Sequence, residues 1–111
     1  MKIIHKALAP LASLEVQKRF ILNSTNDEYI FPGELLEYAV NVLFEQNVVK
    51  FEETETLSEL KKSIKACDVP ENMDYSELIL NYKPWEKVRV LSKTYLEEIG
   101  FNLSEWEQNE L

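Results

Sequence analysis

PGELLEYAVNVLFEQ, residues 32–46, is the stretch whose reading decides the fold. Its polar side chains fall at Glu34, Glu37, Asn41 and Glu45, a single stripe at helical spacing. Leu35, Leu36, Tyr38, Ala39, Val40, Val42, Leu43 and Phe44 cover the rest of the cylinder. A surface helix needs only about 100° of apolar stripe, so this pattern predicts a core helix surrounded by the others. Pro32 suits its first turn and Asn47 its end. Directly after it, Glu52, Glu53, Glu55 and Glu59 form the densest acid run, with no basic residue among them.

Working outward, most of the chain shows helical periodicity with helix-terminating residues between segments. Met1 to Pro10 reads as a short extended piece or a frayed helix. Ser13 is a good N-cap for a helix reaching about Asn23, with Glu15 in its first turn and Arg19 as its i,i+4 partner. The polar run at 23–27 forms a turn, because short polar side chains compete for backbone hydrogen bonds. Val48 to Phe51 reads as a connector, since four β-branched and apolar residues without a partner strand do not make a stable sheet. Thr56 with Glu59 three residues later is a capping box, opening a helix whose apolar side carries Leu57, Leu60, Ile64 and Cys67. Asp74 opens a shorter helix, Tyr75 to Tyr82. Pro84 opens a long amphipathic one carrying Trp85, Val88, Leu91, Tyr95, Leu96 and Ile99, with Gly100 as its C′ residue. Ser104 with Glu107 predicts a short terminal helix bearing Trp106. The expectation is an all-α, irregular bundle of about six helices in a single domain spanning 1–111.

At 111 residues the chain can bury one core without disulfides or metal. Its net charge of -8 is unevenly spread. Residues 1–25 carry +3 (four basic, one acidic), residues 26–60 carry -8 (one basic, nine acidic), residues 61–93 carry +2 (seven basic, five acidic) and residues 94–111 carry -5 (five acidic). Such a chain is ill suited to direct contact with nucleic acid or anionic membrane, which recruit Lys and Arg. It suits a basic protein partner, because opposite charge speeds encounter and suppresses wrong partners. No window approaches the roughly 18 consecutive apolar residues of a membrane span, and Lys6 and Pro10 interrupt any signal-peptide core in Met1 to Ala12. The expected compartment is a reducing cytoplasm.

Little in the sequence supports catalysis. The single histidine, His5, has no acid or cysteine beside it to act with as a general base. Cys67, the lone cysteine, falls on an apolar helix face and reads as a buried thiol. One His and one Cys exclude the usual zinc clusters, and there is no calcium loop or glycine-rich phosphate loop. The acid pairs Glu52/Glu53, Glu97/Glu98 and Glu105/Glu107 read first as solvated faces. No enzyme activity, cofactor or metal is expected. Trp106, on a short helix among Glu105, Glu107 and Glu110, stands out as a candidate interface anchor, since Trp is enriched at interaction hot spots.

The stretch Phe20-Ile21-Leu22-Asn23-Ser24-Thr25-Asn26-Asp27-Glu28-Tyr29, followed by Pro32-Gly33-Glu34-Leu35-Leu36, resembles the small cytoplasmic immunity proteins of bacterial contact-dependent growth inhibition systems. The likeness is one of texture, helix then polar turn then acidic helix start, over about a sixth of the chain. It implies a one-to-one complex with a cognate basic toxin domain, a nuclease (an RNase ahead of a DNase), whose active-site cleft is covered by carboxylates. On that reading Glu52, Glu53, Glu55 and Glu59 steer and pair with toxin cations, Asp27 and Glu28 extend the patch, and Tyr29 or Trp106 supplies the desolvated anchor. Two rivals stand beside it. A nucleic-acid mimic inhibiting a DNA-binding enzyme would need regularly spaced acids, and Lys61 to Lys65 interrupt such a track. A helical adaptor or dimerisation module would use acidity for solubility alone.

Overall fold

A computed structural model describes residues 2–23, 29–45 and 53–111. Seven helices and no strand are present among them. They are α1 (Ile3–Ala12), α2 (Leu14–Gln17, continued by a wider π-helical turn, Lys18–Leu22), α3 (Pro32–Val40, continued by a second π-helical turn, Asn41–Glu45), α4 (Glu55–Ala66), α5 (Tyr75–Asn81), α6 (Lys83–Glu98) and α7 (Leu103–Glu110). The Cα radius of gyration, 13.4 Å, is that of a compact domain of this length, about 13 Å. The expected all-α irregular bundle is what forms.

The central helix is not the one the hydrophobic pattern selects. α1 buries six of its ten residues, Ile4, Ala7, Leu8, Ala9, Leu11 and Ala12, and packs chiefly on α6 and α3. Ile4, Leu8 and Leu11 recur at helical spacing, and the three alanines let neighbouring backbones approach closely. The expectation of an extended or frayed start is therefore wrong. α3 lies on the outside instead: Leu36, Ala39, Val42 and Leu43 face the core, whereas Tyr38 and Phe44 are exposed. Phe44 is partly shielded by cations, with the Lys65 ammonium 4.5 Å and the Lys61 ammonium 5.8 Å from its ring centre. The end of that helix beyond Glu45 and the connector at 48–51 lie outside the described residues.

Pro10 sits inside α1, where it withholds a backbone donor. The helix continues two residues and ends at Ser13, whose N–H donates to the Ala9 carbonyl at 3.1 Å. Ser13 then caps α2 as expected, its Oγ accepting from the Val16 N–H at 3.1 Å. The same hydroxyl donates to Glu107 Oε2 at 2.8 Å, fastening α7 across the α1–α2 corner. Glu15 pairs with Lys18 at 3.9 Å rather than with Arg19, which lies over the Phe20 ring at 5.4 Å. Asp74 caps α5 through the Ser76 N–H at 2.7 Å.

α6 runs alongside α4 and ends in a Schellman turn. Gly100, at φ +80, is the residue that lets the chain reverse. Its N–H donates to the Glu97 carbonyl at 3.1 Å, and that of Phe101 donates to the Leu96 carbonyl at 2.9 Å. Two caps differ from the sequence expectation by two residues. Thr54, not Thr56, opens α4, accepting from the Leu57 N–H at 3.1 Å. Asn102, not Ser104, opens α7, accepting from the Glu105 N–H at 3.0 Å. In both segments two capping-competent residues lie two apart, and local sequence does not distinguish them.

Candidate partner-binding surface

The two threonines near the start of α4 reach across to the end of α6. Thr54 Oγ1 donates to Glu98 Oε1 at 3.0 Å, and Thr56 Oγ1 donates to Glu98 Oε2 at 2.5 Å. This fixes α4 and α6 as antiparallel neighbours and brings the acid run beside the end of α6. Glu53, Glu55, Glu97 and Glu98 are all exposed there. From the same end the Gly100 turn leads into α7, which adds the exposed Glu105 in its first turn. An anion at a helix N-terminus is favoured by the dipole, so Glu55 and Glu105 are stable where they stand.

Trp106 belongs to this end of the molecule. It is half-buried, packed against the core, and lines a shallow concavity of about 390 Å³ with His5, Ile99, Phe101, Asn102 and Glu105. The His5 ring stacks on Phe101, centroids 4.5 Å apart, and its Nδ1 accepts from the Lys2 N–H at 3.3 Å. Removal from water, followed by the nearby Lys2 charge, holds the His5 imidazole below its ordinary pKa. The neutral ring joins the start of α1 to the turn before α7.

The other predicted site residues are placed differently. Glu59 is one turn further along α4, exposed, and pairs with Lys62 at 3.7 Å. Tyr29 is half-buried in an aromatic group, its ring centre 4.6 Å from that of Phe31 and 6.1 Å from that of Tyr75. Loss of hydration and the Tyr75 hydroxyl push its phenol up to about 12, so it is an uncharged donor at neutral pH. Asp27, Glu28 and Glu52 lie outside the described residues. In the sequence alone Glu97, Glu98 and Glu105 read as solvated faces. Their contribution depends on the antiparallel docking of α4 on α6, and the only local hint is the -5 charge of residues 94–111.

Among the described residues, no three His, Cys, Asp or Glu side chains are grouped so as to hold a metal ion. No described helix is long and apolar enough to cross a membrane. Cys67 is buried at the end of α4, and burial, reinforced by Asp68, pushes its thiol up to about 11. A thiol so placed is a packing group rather than a nucleophile. No protein-family model matches the chain, and no curated protein or solved structure matches it either.

Proposed function

We propose that this chain is an immunity-type inhibitor: a non-catalytic cytoplasmic protein that binds a basic toxin domain one-to-one and covers its active-site cleft with carboxylates. The observation that carries the reading is the acidic end, where the exposed Glu53 and Glu55 at the start of α4 meet Glu97 and Glu98 at the end of α6, and the following turn leads to Glu105 beside a partly covered Trp106. A nuclease cleft presents Lys and Arg to phosphate, and a carboxylate cluster matches it in sign. Field-driven attraction raises the encounter rate, and a desolvated aromatic supplies the lasting contact.

The test is capture of the partner from host lysate at low salt, using the native chain, a Glu53→Lys/Glu55→Lys double variant and Trp106→Ala. The expected result is a one-to-one complex with a small basic domain whose nuclease activity is blocked. Charge reversal should abolish capture, and Trp106→Ala should weaken it by about 2 kcal/mol, the scale of a hot-spot residue. A complex indifferent to both variants would move the interface off this end. Self-association with no heterologous partner would favour a dimerisation module and end the inhibitor reading.

A further inference from the structure

The opposite end of the α4–α6 pair has the opposite character. A groove of about 440 Å³ runs between the last turns of α4 and the first turns of α6, lined by Glu59, Lys62, Ser63, Ala66, Lys83, Pro84 and Lys87. Three lysines from two helices line one concavity with a single glutamate. Lys62 is paired with Glu59 at 3.7 Å, and Lys83 with Glu86 at 3.6 Å. Both pairs are well exposed, and ion pairs of that kind contribute little and exchange readily. Lys87 has no carboxylate within ion-pair distance among the described residues. α6 begins here with no side-chain cap, so the positive end of its dipole faces no acceptor of its own. Ser63, more than nine-tenths buried in the groove wall, carries a hydroxyl with no hydrogen-bond partner among the described residues.

We infer that this groove binds a phosphate-type oxyanion, free or carried on a small organic phosphate. Lys87 supplies the uncommitted charge, Lys62 and Lys83 exchange their exposed carboxylates for it, and the Ser63 hydroxyl, shielded from solvent, becomes a neutral donor on rotation toward the groove. Ala66, Pro84 and the lysine stems give apolar walls against which the body of an organic phosphate can lie. The net charge of -8 sets this site apart from a nucleic-acid surface. A long polyanion would meet the whole acidic molecule, whereas a small anion feels mainly the groove, because charges beyond about 8 Å are screened at physiological salt. The inference does not depend on the acidic end or on any toxin partner.

Amide chemical-shift titration of the whole chain tests it, with inorganic phosphate and adenosine 5′-monophosphate as separate probes. Saturable shifts are expected at Ser63, Lys83, Trp85 and Lys87. Lys87→Gln should weaken binding about tenfold or more, the range for a hydrogen bond to a charged group. Lys93→Gln, the same charge change near the other end of α6, should leave affinity within about twofold. Saturation by both probes would show that the oxyanion suffices, and saturation by the nucleotide alone would assign the site to organic phosphates. No saturable shift with either probe, or equal weakening in both variants, would overturn the inference.

Discussion

Gln17 and Trp85, 68 positions apart, form a buried hydrogen bond in which the indole Nε1–H donates to Gln17 Oε1 at 3.0 Å. The same amide uses both of its donor hydrogens on the end of α1, to the Pro10 carbonyl at 2.9 Å and the Leu11 carbonyl at 2.8 Å. Those carbonyls belong to the last turn of a helix and have no intrahelical partner. Indole only donates and carbonyls only accept, so the three partners fix the amide orientation. One side chain thus closes α1, positions α2 and locks both to the central part of the core.

Replacing Gln17 by Leu keeps much of the volume but strands the Trp85 N–H and two carbonyls. Each stranded buried group costs about 1–3 kcal/mol, so the variant should lose about 3 kcal/mol or more in urea unfolding. Trp85→Phe leaves Gln17 Oε1 unpaired and removes packing, and should lose about 2–4 kcal/mol. In a double-mutant cycle the two losses should be less than additive by about 1 kcal/mol or more. Strict additivity would show that the bond carries no coupling.

The α1 stripe Ile4, Leu8, Leu11 is visible in the sequence, and so is the helical class. What hid the role of α1 is Pro10, which locally signals a helix end, whereas the helix runs on to Ala12 and its last carbonyls are met by the Ser13 N–H and the Gln17 amide. The apolar run at 35–44 misleads for the converse reason. Among the described residues, its wide face is covered on one side by the core and on the other by Lys61 and Lys65 over Phe44, a contact between residues distant in sequence. The ends of α5 and α6 follow local rules, so Asp74, Pro84 and Gly100 read correctly, whereas the caps of α4 and α7 do not. The charge asymmetry is legible as composition, but not as an acidic end and a lysine groove. That sorting arises when α4 and α6 pair antiparallel, placing Glu53 beside Glu98 and Lys62 in one groove with Lys87.

Thr54 and Thr56 both reach Glu98, but only Thr54 also caps α4, and this separates their contributions. Thr54→Ala removes a cap and one interhelical bond, so the loss should be about 1–2 kcal/mol. Thr56→Ala removes only a bond to an exposed carboxylate and should cost about 1 kcal/mol or less. Glu98→Ala should fall near Thr56→Ala, since Thr54 keeps its cap. Chemical denaturation of the three variants checks the order, and a greater loss at Thr56 than at Thr54 would restore the capping box read from sequence.

Cys67 makes stability fall in alkali in a way that one substitution can isolate. The folded protein holds the thiol near 11, against an ordinary value of 9.0 in the open chain. Below pH 9 both states carry the proton and the group is silent. Between the two values the unfolded chain ionises while the native protein does not, so the unfolded state binds fewer protons and unfolding becomes easier as pH rises. The slope of this contribution is at most about 1.4 kcal/mol per pH unit. Tyrosines and lysines titrate over the same range, so the measurement is the difference between native chain and Cys67→Ala. The gap at neutral pH reports lost packing, and it should shrink steadily as pH rises above 9. In parallel, an aromatic disulfide reagent at pH 8 should modify Cys67 only as fast as the protein opens, and at full rate in denaturant. A gap constant with pH, or rapid labelling of the folded chain, would mean that the thiol is solvated rather than buried.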